Sequence, residues 1–232
     1  MKNSTPNARS GARRAESHRQ AGLLAHRARR WDVAVQEFER ATELAPQDAL
    51  MWMNLARSRM AQGQPVPALA AARRACELDQ GSAVACRMAA ELALQMARPA
   101  EALEVLQALA PDAPRDHDYY NALGNALFQV RRPREAVDAY FLALAIQVDS
   151  AIVHYRLGLC FMDLAMDFEA AQCFRTAISL DDGAIRALAL SLVLQTNRQA
   201  CDWTQDAEDT RALLEAVDRD DPETARLLLP LR

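Results

Sequence analysis

Small and large apolar residues recur along this chain with a period of 34 residues. Counted from Ala15, position 20 of each period holds Ala34, Ala68, Ala102, Ala136 and Ala170. Position 8 is always small (Gly22, Ala56, Ala90, Gly124, Gly158), and position 27 reads Ala41, Ala75, Leu109, Ala143, Ala177. Position 24 reads Phe38, Ala72, Leu106, Tyr140, Phe174, and position 7 reads Ala21, Leu55, Ala89, Leu123, Leu157. Gap-free agreement of this many columns is an internal repeat, and periods of about 20–50 residues mark stacked supersecondary units. The pattern predicts two helices per repeat. Small residues at positions 8 and 20 let the helices approach, and large ones at 7, 11 and 24 fill the remaining space. Position 17 carries Trp31, Pro65, Pro99, Pro133 and Asp167; proline suits the first turn of a helix, where its missing N–H would be unpaired anyway. Pro46 and Pro114, at position 32, stop a second helix before the next repeat starts. Five repeats follow, at 15–48, 49–82, 83–116, 117–150 and 151–184, after a flexible basic tail at 1–14 and before a terminal segment at 185–232.

The unit Tyr120-x2-Leu123-Gly124-x2-Leu127…Ala136-x3-Tyr140-x2-Ala143 resembles the tetratricopeptide repeat. The resemblance implies an all-α fold, a right-handed α-solenoid of helix-turn-helix repeats whose first helices line a concave groove. Each repeat then touches only its neighbours, and the ends need capping.

Beyond the repeats, Ile185 to Thr196, with Leu188, Leu190, Leu192, Val193 and Leu194, reads as a half-repeat without its second helix. An acidic helical segment reaching about Val217 is expected to cap it. Between them, Cys201-Asp202-Trp203-Thr204 is similar to the repeat-to-catalytic junction of O-linked N-acetylglucosaminyltransferases, including the bacterial Spindly-like branch, and Leu228-Leu229-Pro230-Leu231 is weakly similar to the segment that enters their catalytic lobes. In that family two Rossmann-like lobes supply catalytic histidine and lysine. This sequence has no His after His154 and no Lys after Lys2, so no catalytic residue carries over. The resemblance implies at most a substrate-recruiting part of, or partner for, such an enzyme.

Composition narrows the alternatives. With 51% hydrophobic and 25% charged residues the chain can build a core. Alanine is abundant at 47 residues while glycine numbers only 7, which favours helix over a turn-rich β-fold. Apolar runs stop near eight residues, against the ~18–20 that span a bilayer. Residues 1–30 hold eight basic residues and one acidic (net +7), while the remainder is 19 minus 30, or −11. Without interleaved aromatics this arm is read as a solubilising tail, with neither nucleic acid nor membrane expected as a partner. The cysteines, Cys76, Cys86, Cys160, Cys173 and Cys201, show no CxxC and are odd in number; they are read as reduced thiols of a cytoplasmic protein. His18 and His154 occupy the packing position 4, and His26 and His117 are scattered. No metal-ligand spacing, P-loop or GxSxG occurs, so no catalytic residue, cofactor or metal is expected.

The remaining chemistry lies on the groove positions of the first helices. Met53 and Arg57 supply it in the second repeat, Arg87 and Glu91 in the third, Asn121, Asn125 and Phe128 in the fourth, and Tyr155, Arg156 and Leu159 in the fifth. Carboxamides can pair with both donors and acceptors of an extended backbone, Met adapts to varied side chains, and Arg grips carboxylate or phosphate. Asn121, Asn125 and Arg156 form the candidate polar cluster. A non-enzymatic scaffold holding an extended segment of a partner protein is the first expectation, a glycosyltransferase arm the second and a secretion chaperone the third. Self-association through the solenoid ends is compatible with all three. Lysine is absent from the groove, so no terminal-carboxylate clamp is expected.

Overall fold

The computed structural model describes residues 6–181, 183–199 and 202–219. Among them are twelve α-helices and no strand: α1 (Pro6–Arg27), α2 (Trp31–Leu44), α3 (Ala49–Ala61), α4 (Pro65–Leu78), α5 (Ala83–Gln95), α6 (Pro99–Gln107), α7 (His117–Gln129), α8 (Pro133–Ile146), α9 (Ala151–Asp163), α10 (Asp167–Leu180), α11 (Ala184–Gln199) and α12 (Asp206–Arg219). Odd and even helices pair as the first and second helices of successive hairpins. The chain divides into two compact parts, Met1–Arg115 and Asp116–Arg232.

Each hairpin closes on one interlock. The ring at position 24 lies against the small residue at position 8, and Phe38, Tyr140 and Phe174 are the three largest fully buried side chains. A methyl group built on Gly22, Gly124 or Gly158 would lie 2.8, 2.5 and 2.5 Å from the rings of Phe38, Tyr140 and Phe174. The repeats with alanine at position 8, Ala56 and Ala90, carry the non-aromatic Ala72 and Leu106 at position 24. Glycine is therefore present where an aromatic ring needs its space and absent where none does.

Each first helix ends on a left-handed residue at position 15: Arg29, Gly63, Ala97, Arg131 and Ala165, with φ between 55° and 78°. The next N–H bonds back across the helix end, as Arg132 N does to Leu127 O (3.0 Å) and Met166 N to Phe161 O (2.9 Å). This is the Schellman closure, which satisfies carbonyls the helix would leave unpaired. Only one of the five positions uses glycine, so four bear the steric cost of a Cβ. Side chains at position 34 cap several first helices: Asp48 accepts from Leu50 N (3.0 Å), Ser82 from Ala85 N (3.3 Å) and Asp116 from Tyr119 N (2.8 Å).

Four expectations are corrected. First, α1 begins at Pro6, so residues 6–14 are helical rather than tail; a proline at the first helical position followed by Ala- and Arg-rich sequence favours helix. Second, α6 stops at Gln107, five residues short of its counterparts. Pro111, at position 29, cannot continue a helix, and Ala110 N turns out to Gln80 O instead (2.8 Å). Third, the half-repeat does have a second helix: the expected acidic capping segment is α12, which packs on α11 although the 34-residue columns do not continue into it. Arg198 Nε donates to Asp206 Oδ1 (2.6 Å), and Arg175 pairs with Asp209 (3.5 Å) to tie α12 to α10. Fourth, Cys76 and Cys86 are not free thiols but form a disulfide. Position 28 of the second repeat and position 4 of the third face one another where α4 packs on α5, and both residues are buried. The bond removes the thiol argument for a cytoplasmic location. Cys160 and Cys173 are free, and burial pushes their thiols up to about 12 and about 11, so neither is a thiolate at neutral pH.

Three stability measurements follow. Gly158→Ala should lower the unfolding free energy by about 1–3 kcal/mol through overpacking against Phe174, despite alanine's better helix propensity; an unchanged urea midpoint would contradict the interlock. Ala165→Gly should raise stability by up to about 1 kcal/mol by relieving the left-handed strain. Replacing both Cys76 and Cys86 with alanine should lower it by about 3 kcal/mol, the chain-entropy value for a loop this short, and reductant should affect the parent but not the variant.

Candidate functional site

The first helices form one face of each part. In the Asp116–Arg232 part, α9 contacts both α7 and α11, which brings side chains from adjacent repeats together. Arg156 Nη1 donates to Asn121 Oδ1 (2.7 Å), across 35 residues of sequence. One turn along α7, Gln129 Nε2 donates to Asn125 Oδ1 (3.1 Å). Both carboxamides thus have their oxygens engaged, which turns their NH2 groups, together with the guanidinium of Arg156, into a row of donors. Asn121, Asn125 and Arg156 are all half-buried, as are Phe128 and Leu159, which supply apolar surface beside them.

Tyr155 has a divided role. Its ring centre is 5.8 Å from that of Phe174, at a tilted angle, and burial raises the phenol pKa above its ordinary value. Part of this residue belongs to the α9–α10 interlock, a role that its groove position in the sequence does not reveal.

In the Met1–Arg115 part the candidates stand further from one another's chemistry. Arg87 Nη1 donates to Glu91 Oε1 (2.8 Å) along one face of α5, so these two charges largely satisfy each other. Arg57 is exposed on α3 and Met53 half-buried. Sequence reasoning missed Asn54, which is buried on α3 with an Nδ2 that meets no partner, and Ser58, whose hydroxyl lies 2.9 Å from His26 Nδ1. Ser58 had a signal, a polar side chain at position 10 where the other repeats have Leu24, Leu92, Ala126 and Cys160; Asn54 had none, since Gln20 and Arg156 are also polar at position 6.

The histidines hold structure. His18 meets Glu37 (2.7 Å), His154 Nε2 meets Val148 O (2.9 Å), His117 lies 3.1 Å from Asp118, and His26 packs edge-on to Trp31 (4.8 Å between ring centres). No group of three or more His, Cys, Asp or Glu among the described residues could hold a metal ion. Two clefts lie away from the candidate face. One, of about 430 Å³, runs between α4 and α6 beside the Arg73–Glu101 pair, and the other, of about 470 Å³, lies between α11 and α12.

At the proposed junction, Asp202 Oδ1 accepts from Thr204 N (3.0 Å) and Thr204 Oγ1 (2.5 Å), and these bonds hold its carboxyl below the usual range. Asp202 and Thr204 form a turn that leads into α12, while Trp203 is exposed. Cys201 and the Leu228–Leu231 segment lie outside the described residues.

Family models described as tetratricopeptide repeat match residues 19–83 and 59–127, so residues 19–127 carry tetratricopeptide repeats. No curated protein matches. Among solved structures, the chain is similar to YrrB, described as a tetratricopeptide protein with an unusual peptide-binding site (21% identity, TM-score 0.64, covering 84% of this chain and 98% of that one). PilF of Pseudomonas aeruginosa is 17% identical with TM-score 0.70, covering 91% of this chain and 95% of that one. A MamA protein is 20% identical with TM-score 0.64, covering 72% and 91%. These likenesses establish an all-α tetratricopeptide fold. Neither the family models nor these structures support the glycosyltransferase resemblance.

Proposed function

We propose that this chain is a binding module, not an enzyme, and that the face of its first helices holds an extended segment of a partner protein. The observation that carries this reading is the donor row on α7 and α9. Asn121 and Asn125 have their oxygens committed and their NH2 groups available, Arg156 adds a charge-assisted donor, and Phe128 and Leu159 border them. A strand-like peptide offers carbonyl oxygens at a regular spacing of about 6.6–7 Å on each edge, and neighbouring donors on a helical face can meet them. Peptide binding by YrrB, as its description states, is consistent with such a use of the fold. On the first helices of the Met1–Arg115 part, taken by itself, the exposed Arg57 and the half-buried Met53 are candidate contacts, while Arg87 and Glu91 are paired with each other. The cytoplasm is one location in which such a module could act, and among the described residues no helix is long and apolar enough to cross a membrane.

A phage-displayed library of unstructured peptides panned on the full chain tests the reading. Selected peptides should bind the parent and lose about tenfold or more in affinity to Asn121→Ala/Asn125→Ala or Arg156→Ala, consistent with loss of one or two hydrogen bonds to a charged or polar ligand, while thermal unfolding stays within a few degrees. Peptides that bind all three proteins equally would discard this face.

A further inference from the structure

The five repeats serve as internal controls for one another, and one of them breaks the pattern on the outer side of its second helix. Positions 25, 26 and 29 carry Glu39, Arg40 and Glu43 in the first repeat, Arg73, Arg74 and Glu77 in the second, and Arg175, Thr176 and Ser179 in the fifth. In the third repeat position 25 is the polar Gln107, and positions 26 and 29 lie beyond the end of α6. In the fourth repeat the same positions are Phe141, Leu142 and Ala145, followed by Ile146 and Val148. None of this is core. Phe141 is 51% exposed, Leu142 49%, Ile146 54% and Val148 72%. Together they form an exposed apolar stripe, and contiguous exposed apolar patches mark interaction sites. The helix α8 satisfies its own hairpin through Ala136, Ala139, Tyr140 and Ala143 on the opposite side, so the stripe has no task within the repeat.

The ends of the stripe indicate what covers it. Arg134 lies in the first turn of α8, and Asp149 in the turn just past its last residue, Ile146. Both are exposed. Neither joins an ion pair among the described residues, in contrast to Arg132 and Glu135 beside them, which pair with each other. An apolar helical face with opposite charges at its two ends is complementary to itself under a two-fold rotation. We propose that the outer face of α8 is an interface with a second copy of this chain, the two α8 helices running antiparallel about an axis that passes between Phe141 and Leu142. Phe141 of each copy then packs on Leu142 of the other, and Arg134 of each meets Asp149 of the other at both ends. Asp138 falls opposite the small Ala145, where it stays hydrated. This interface is separate from the first-helix face, so peptide binding and pairing can each fail without the other.

Sedimentation equilibrium of the full chain from about 1 to 100 µM tests the proposal. The expected mass rises from 25.7 kDa to twice that value, and Phe141→Glu holds it at the monomer value with an unchanged helical circular dichroism spectrum. Arg134→Asp and Asp149→Arg should each weaken association about tenfold, and the double variant that exchanges the charges should restore it; these surface changes keep the test valid should Phe141→Glu fold poorly. A parent that stays monomeric throughout would overturn the proposal, whether the stripe then proved to bind another protein's helix or phosphatidylcholine vesicles. So would a dimer indifferent to Phe141→Glu, or charge variants whose exchange gives no rescue.

Discussion

Everything in this chain depends on a single contact repeated along it: the side chain at position 24 of a second helix set against a first helix with almost nothing at position 8. Three repeats solve it with glycine beneath an aromatic ring and two with alanine beneath a smaller side chain. The residues at positions 8 and 24 vary together from repeat to repeat, so the space at the contact stays filled. Once that contact is made, the left-handed residue at position 15 reverses the chain in register, and the caps at position 34 begin the next repeat. The tolerance of arginine and alanine in a left-handed conformation shows how strongly the interlock dictates the turn, since steric preference alone would place glycine there.

The helix pairing was legible in the sequence because packing between helices constrains composition column by column. What was not legible falls where a residue acts outside its column. Pro111 shortens α6, yet a column reading sees only that position 29 is variable. Cys76 and Cys86 belong to different columns of different repeats, and their proximity appears only when α4 is laid against α5. The acidic capping helix was legible, but its closing into a hairpin with α11 was not, because α12 is held by Arg198–Asp206 and Arg175–Asp209 pairs rather than by the small-large pattern that announced the others.

The candidate face divides the same way. Positions 5 and 6 on the first helices of adjacent repeats are neighbours by geometry, so the approach of Asn121 to Arg156 could be inferred before any coordinates. The orientation of the two carboxamides could not, because it depends on which hydrogen-bond partner claims the oxygen: Arg156 in one case, Gln129 in the other. Tyr155 was legible only in part, since an aromatic ring at position 5 is long enough to reach the interior of its own hairpin. The contrast between Arg87–Glu91, already paired, and the donors of Asn121, Asn125 and Arg156 separates surface that solvates itself from surface that can still take up a ligand.

The disulfide has a mechanical side. A repeat protein pulled from its ends yields by peeling hairpins away one after another, each releasing slack chain. Cys76 and Cys86 enclose a sequence separation of 10 residues, which would otherwise add about 30–35 Å of extended contour. While the covalent link stands, tension passes through the two sulfur atoms and bypasses the turn between α4 and α5. Peeling that reaches this junction releases less chain than at the other repeat joints, so the link between the second and third repeats is the least extensible under load.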